Sequence, residues 1–507
     1  MTDEFAPLSA FLDIARRCPN RIAVNDRGRM TDYGSLRDLT LRLAAEIIRC
    51  SDALNGKENS PAPYGGAPRV VIAAPSGAWA YAGMFGALAA GGFYCPVNVS
   101  APDAKLAAIF GQLAPTAVLT EEREASRMRR LAGAECAIIT PDALDAKPMD
   151  KPKRPHDLAY VMFTSGSTGA PKGVMVPQCA AANYVAWARS SLGYRSDDIV
   201  SQHPIIAFDI SVTDIYGALA SGACLAPFNS PADRLMPAAA IKSRGVTVWN
   251  STPSVVNLMI SANQATPDYL ASVRAFNFCG EPLTPEQARA VLSARPDAFV
   301  QNTYGPTEAT VACTAQRLTP DNLERCCRDS VALGGALPNM GVHLVGGADE
   351  SEGEIVLTGA QLARGYWKNP IKTTENFRSL TINGEPHPAY FTGDIGRRDE
   401  GRLYFVTRKD HQVKINGHRV ELGEVCAAIR KAGYLGCAAV VIDGELHAII
   451  EGAQPDAATL DSLRSGLRAA LEDYALPRRY HFVRRLPRNQ NDKIDVKAAA
   501  EALRAAS

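Results

Sequence analysis

Short β-branched or apolar runs alternate with Ala- and Leu-rich stretches of helical period along most of this 507-residue chain. That alternation constrains the fold more than any other feature, because it calls for strands joined by helical crossovers. Val70–Ala74, Ala117–Thr120, Ala137–Thr140, Val246–Trp249 and Ala275–Phe278 lack a polar alternate face and read as buried strands. Leu36–Arg49 and Pro285–Ser293 read as amphipathic helices. The pattern predicts an α/β class with largely parallel sheets. Ser51–Pro68, rich in Gly, Pro, Asn and Ser, reads as an exposed loop. After about Gly401 the character changes. Arg402–Thr407 and Gln412–Ile415 read as short strands, Leu422–Lys431 as a helix, and Ala438–Ile442 and His447–Glu451 as strands. A helix with Leu460, Leu463, Leu467 and Leu471 on one face follows, and Asp495 suits the N-cap of a last helix. This predicts a small C-terminal α+β domain of about a hundred residues.

Composition removes whole classes of function. Lys plus Arg total 54 against 53 Asp plus Glu, a formal net charge of +1, so no global field draws the chain to nucleic acid or an anionic membrane. The most apolar stretch, near Gly83–Val97, is too short and Gly-broken to cross a bilayer. The N-terminus starts acidic, without the basic segment and apolar run of a signal peptide. Twelve cysteines are scattered without metal-binding spacing, which suits a reducing compartment. The expectation is a cytoplasmic protein without membrane insertion or nucleic-acid partner.

Five stretches carry chemistry. Tyr160–Gly173 (YVMFTSGSTGAPKG) runs from an apolar strand into a loop of hydroxyls and glycines that ends on Lys172. Such a loop lets the backbone approach phosphates and offers donors and a mobile positive charge. It does not fit the Walker A pattern. In Asn302–Thr310 (NTYGPTEAT), Tyr304 offers a flat face for a base, Gly305-Pro306 a tight turn, and Glu308 a ligand for Mg2+ carried by ATP. Asp394, in YFTGD, closes a strand where a carboxylate can accept two ribose hydroxyls. The charged run from Arg408 to Lys414 reads as an interdomain connector, and Asn491–Asp495 as an exposed turn holding Lys493.

In this order the five stretches resemble the signature motifs of the adenylate-forming superfamily, which includes adenylation domains of nonribosomal peptide synthetases, acyl- and aryl-CoA synthetases and luciferases. The resemblance runs from about Phe11 to Lys497. It implies a large N-terminal multi-subdomain α/β core, residues 1–409, and a small mobile α+β lid, residues 410–507, hinged at Asp410. Thr164, Ser165, Gly166, Ser167, Thr168, Gly169 and Lys172 resemble the triphosphate loop. Asn302, Thr303 and Tyr304 resemble the adenine-side contacts, Glu308 the magnesium ligand, and Asp394 the ribose clamp. Arg408 resembles the arginine near ribose and phosphate, and Lys493 the lid lysine that neutralises the reacting carboxylate and α-phosphate. Asn491-Asp492-Lys493 stands where the family usually writes NGK, and Thr407 where it has glycine.

The segment Ala207–Tyr216 (AFDISVTDIY) separates branches of the superfamily. Amino-acid-activating members carry the aspartate, here Asp209, that pairs with the substrate ammonium, whereas CoA synthetases generally lack it. A helix N-cap is the bland alternative for that residue. Local motif matching gives Ile210, Thr213, Asn250, Asn277 and Cys279 as pocket residues, with Gly280, Thr303, Val311 and Ala312 beside them. The D-alanine–carrier protein ligase branch is the nearest in appearance, through FDISVTDIY, FCGE and NTYGPTEATVA. Thr213, Asn250 and Asn277 are more polar than a methyl group requires, so D-alanine and another small amino acid both stand. The implied reaction consumes ATP with Mg2+, forms aminoacyl-AMP and pyrophosphate, and loads a phosphopantetheine thiol. The chain ends 14 residues after Lys493, so the thiol is expected on a separate carrier protein. An acyl- or aryl-CoA synthetase is the alternative within the fold, and a nucleotide-binding protein without catalysis the rival outside it.

Overall fold

The computed structural model describes residues 6–55, 66–164, 170–347, 351–409, 412–415, 418–442, 444–488, 494 and 496–506. By internal contacts the chain divides into two units. The first comprises Met1–Val99, Gln112–Phe163 and Gly173–Thr407; the second comprises Ser100–Gly111, Thr164–Lys172 and Arg408–Ser507.

Buried strands with both faces apolar need helices on each side, and the first unit supplies them. One six-stranded sheet runs in the order Ala137–Ile139, Ala117–Thr120, Arg69–Ala73, Phe93–Pro96, Leu158–Thr164, Lys172–Pro177. A nine-stranded sheet has Ile199–Gln202, Val248–Ser251, Ala275–Cys279 and Phe299–Tyr304 as its parallel centre and antiparallel strands at its margins. A single apolar core takes Val70, Ile72 and Leu119 from the first sheet and Val24, Val200 and Leu225 from the second. The helices Ala78–Ala89, Gln178–Leu192 and Ser211–Leu219 contribute to the same core. The α/β expectation therefore holds.

The helix expected at Leu36–Arg49 spans Tyr33–Asn55, so Ser51–Asn55 is helical and not loop. Ala53 and Leu54 are strong helix formers and let it continue. The strand expected at Val246–Trp249 lies at Val248–Ser251. A five-stranded antiparallel sheet of Met340–Val345, Glu352–Gly359, Glu385–Asp399, Phe377–Ile382 and Arg402–Arg408 completes the region.

The second unit contains its own sheet. Cys437–Ile442 and Glu445–Glu451 pair antiparallel, and Arg479–Val483 joins parallel. The helix Leu422–Lys431 matches its expected bounds, and Ala457–Ala470 is capped by Asp456, which accepts from the Thr459 amide at 2.8 Å. Leu463 and Leu467 are buried on that helix, while Leu471 lies just past its end. The last helix is Val496–Ala506; Asp495, its expected cap, lies outside the described residues. Lys105 explains why Ser100–Gly111 groups here. Its ammonium meets Glu472 at 2.5 Å and lies 5.9 Å from the centre of the Tyr474 ring. Among the described residues no helix is long and apolar enough to cross a membrane.

Candidate active site

Three adjacent parallel strands build the floor of the candidate pocket. Register sets Asn250 beside Asn277 and Cys279 beside Thr303. Successive side chains alternate in a strand, so Asn250, Asn277 and Cys279 share a face with Val248 and Ala275. That face belongs to the core under helices Gln178–Leu192 and Ser211–Leu219. Trp249, Phe276 and Phe278 point the other way, into a separate core. Gly280 follows at φ +100°, a conformation that lets the chain leave the strand end sharply.

Two tyrosines hold helix Ser211–Leu219, and one of them also reaches this floor. The Tyr184 hydroxyl lies 2.6 Å from Thr213 Oγ1. The Tyr194 hydroxyl donates to the Thr213 carbonyl at 3.2 Å and accepts from Asn250 Nδ2 at 3.4 Å. Ile210 is the N-cap, so the half-buried Asp209 precedes the cap and does not serve as one. Burial pushes the Tyr160 and Tyr184 phenols up, and the Asp209 carboxylate raises both further, which sets it among these rings. The Tyr184 phenol also feels Cys279. Asp214, the next helical position after Thr213, is fully buried. Neither of its carboxylate oxygens has a hydrogen-bond partner among the described residues. Burial holds its carboxyl well above the usual range; the Asn250 amide approaches closely enough to oppose this, without hydrogen-bond geometry.

The turn after Tyr304 depends on Gly305. A Cβ there would come within 2.6 Å of Ala312 Cα, because strand Thr314–Leu318 returns directly alongside. A short 3-10 turn, Thr307–Ala309, buries Glu308 completely, and Tyr366 donates its hydroxyl to Glu308 Oε1 at 2.8 Å. Thr310 and Val311 then take φ of +55° and +70°, costly for β-branched residues. Gln361, fully buried, opposes that strain. Its Nε2 reaches the Ala312 carbonyl at 2.6 Å and approaches those of Ala309 and Thr310, while Thr310 Oγ1 donates to the Gln361 carbonyl at 2.7 Å. The pinned loop holds the Val311 carbonyl 3.8 Å from Cys279 Sγ.

Asp394 does not close a strand; it lies inside Glu385–Asp399 at an irregularity. Ile395 pairs with Glu354 and Phe391 with Val356, so Thr392, Gly393 and Asp394 bulge opposite Ile355. Thr392 Oγ1 donates to the Ile355 carbonyl at 2.7 Å and accepts from the Asp394 amide at 2.9 Å. The bulge brings Asp394 Oδ2 within 2.6 Å of the Tyr304 hydroxyl, which donates to it. Burial and then this carboxylate push the Tyr304 phenol far up. Asn302 Nδ2 donates to the Ala332 carbonyl at 2.9 Å, and Thr303 Oγ1 to that of Phe278 at 2.9 Å.

The second unit holds the remaining described candidates. Thr164 ends a strand with its hydroxyl buried and unpartnered among the described residues, Lys172 begins the next strand, and Arg408 ends Arg402–Arg408. Ser165, Gly166, Ser167, Thr168, Gly169, Asp410 and Lys493 lie outside the described residues. Sequence reasoning missed Tyr184, Tyr194, Asp214, Gln361 and Tyr366. Asp214 alone had a local signal, the one charged residue in the helix SVTDIYGAL.

Known proteins resemble this chain over most of its length. The family model for AMP-binding enzymes matches residues 11–367. A D-alanine–D-alanyl carrier protein ligase of Bacillus licheniformis is 31% identical, over 96% of this chain and 97% of its own. The ligase of that name from Staphylococcus aureus is 30% identical over 99% of this chain and all of its own. Among solved structures, the Vibrio cholerae adenylation domain AlmE in complex with glycyl-adenosine-5'-phosphate superposes with a TM-score of 0.77 at 26% identity, covering 100% of this chain and 98% of that one. Holo-PA1221, a nonribosomal peptide synthetase protein with adenylation and carrier domains, gives 0.80 at 27% identity over 98% and 84%. The chain belongs to the AMP-binding enzyme family.

Proposed function

We propose that this protein activates a small amino acid with ATP, releasing pyrophosphate, and passes the aminoacyl group to the phosphopantetheine thiol of a separate carrier protein in the cytoplasm. The observation that carries the reading is Asp209 in the FDISV motif, its charge acting on the buried Tyr160 and Tyr184 phenols, the second of which also feels Cys279. Asp209 stands at the motif position where amino-acid-activating members of the superfamily pair an aspartate with the substrate ammonium. The named activity of the two ligases and the glycyl adenylate of the Vibrio domain support the same choice.

Attack of a carboxylate on the α-phosphorus brings two anions together, so the site must cancel charge there and on departing pyrophosphate. Asp394, oriented by Tyr304, accepts the ribose hydroxyls. Asn302 and Thr303 border the adenine, and Ile210, Thr213, Gly280, Val311 and Ala312 bound the amino acid. Glu308 fits a magnesium ion that arrives with the triphosphate. It is a single buried carboxylate with one oxygen oriented by Tyr366, and Mg2+ on nucleotides takes few protein oxygens. The ion supplies charge neutralisation along the phosphates. Thr164, Ser165, Gly166, Ser167, Thr168, Gly169, Lys172 and Arg408 bind phosphates, and Lys493 neutralises the reacting groups. For the thiol step Lys493 withdraws, with Asp410 as the pivot.

The test is mass spectrometry of a phosphopantetheinylated carrier protein incubated with enzyme, Mg·ATP and amino acids. The reading predicts a mass gain of one aminoacyl group with matching AMP release. Acyl-CoA formation from non-amino acids, with no carrier loading, contradicts it in favour of a CoA synthetase.

A further inference from the structure

The floor of the amino-acid pocket carries more unsatisfied polarity than a hydrogen or methyl side chain can use. Asn277 lies on a central strand, flanked in register by Asn250 and Gln301, and is 1% exposed. Neither its Nδ2 nor its Oδ1 has a hydrogen-bond partner among the described residues, and Asn250 Oδ1 has none either. The result holds whichever way the Asn277 amide is turned, because both ends lack partners. Two residues along the same strand face, Cys279 Sγ meets the Val311 carbonyl at 3.8 Å. Across from the strands, Thr213 presents a hydroxyl already oriented by Tyr184. Buried amides are ordinarily satisfied, and a cluster of exceptions on one wall of a binding pocket points to a ligand that completes them.

We propose that the substrate side chain is short, neutral and both donates and accepts hydrogen bonds, a hydroxyl or primary amide one or two carbons from Cα, and that Asn277 selects it. The proposal rests on the amino-acid reading above. A hydroxyl at this depth pairs with one end of the Asn277 amide, and a primary amide pairs with both. Glycine or alanine leaves both ends of the Asn277 amide and Asn250 Oδ1 dehydrated and without partners among the described residues. Leaving buried amide groups unpaired is costly, so discrimination of about 10- to 100-fold is expected.

The test is amino-acid-dependent ATP–pyrophosphate exchange with the full-length enzyme, using both enantiomers of serine, threonine, asparagine, alanine, 2-aminobutyrate, valine and 2,3-diaminopropionate, together with glycine. Serine should exceed 2-aminobutyrate, or threonine exceed valine, or asparagine exceed alanine, by at least about tenfold in kcat/KM. Asn277→Leu should erase that ratio, lowering kcat/KM for the polar member of the pair far more than for the apolar one. Higher kcat/KM with glycine, alanine or 2,3-diaminopropionate than with any neutral polar acid overturns the proposal and leaves the amino-acid reading intact. The wild-type panel decides this even if the variant does not fold. Exchange with carboxylic acids lacking an amine, and with none of these amino acids, overturns both.

Discussion

Asp214 offers a test of the buried polar cluster that needs no substrate. Its carboxyl is fully buried, has no hydrogen-bond partner among the described residues, and is held protonated well above its ordinary 3.8. In the unfolded chain it ionises near that ordinary value, so above about pH 5 unfolding releases one proton that the native state retains. The sign follows. Stability associated with the neutral acid is complete below pH 3.8 and is lost as pH rises toward the raised native value. In that window the loss is about 1.4 kcal/mol per pH unit at 25 °C. Asp214→Asn keeps the shape, cannot ionise, and removes the term. For a unit of roughly 390 residues the unfolding entropy converts this to a melting-point gap widening by about 2 °C per pH unit. Calorimetric melting of both proteins from pH 4 to pH 7 measures it. The variant should match the wild type at pH 4 and melt progressively higher above. Parallel curves, or a gap that closes with pH, would show that Asp214 ionises in the folded protein and refute the reasoning.

Three other outcomes are expected. Tyr366→Phe removes the hydroxyl donated to Glu308, a hydrogen bond to a charged group worth about 1.5–3 kcal/mol, and should raise the magnesium concentration for half-maximal exchange roughly tenfold. An unchanged magnesium profile would separate Glu308 from the metal. Gln361→Ala unpins the Thr310–Val311 loop and should lower stability by about 2 kcal/mol in urea denaturation while raising the amino-acid KM. A stability loss with KM unaltered would make Gln361 purely structural. Lys493→Ala should suppress adenylation far more than thiol transfer from supplied aminoacyl-AMP, and equal losses would argue against the moving lid.

The strands and helices of the core were readable because buried parallel strands carry continuous apolar runs and their helices a one-sided stripe. Ala117–Thr120, Gln412–Ile415 and Leu422–Lys431 appear at their expected bounds. The antiparallel sheet from Met340 to Arg408 left a weaker trace, since strands such as Met340–Val345 and Phe377–Ile382 are only half-buried and mixed in character. The site is harder to read because its geometry depends on distant partners. Asp394 was visible as a motif carboxylate, but the bulge that turns it to Tyr304 comes from register against Glu354–Val356. Gln361 and Tyr366 act on a loop some fifty residues earlier, and no local period announces such a pairing. Asn250 and Asn277 were recognisable as polar; that their amides lack partners is a property of the folded sheet.

The central claim is that Asp209 recognises an ammonium group on the acid being adenylated. ATP–pyrophosphate exchange with the best amino acid and with its counterpart lacking the amine, in wild type and Asp209→Ala, tests it most directly. The account predicts that wild type activates only the amine-bearing acid, and that Asp209→Ala loses that activity by about 100-fold, the cost of leaving a desolvated charge unpaired. Equal exchange with both acids in the wild type, or unaltered kinetics in Asp209→Ala, would contradict it.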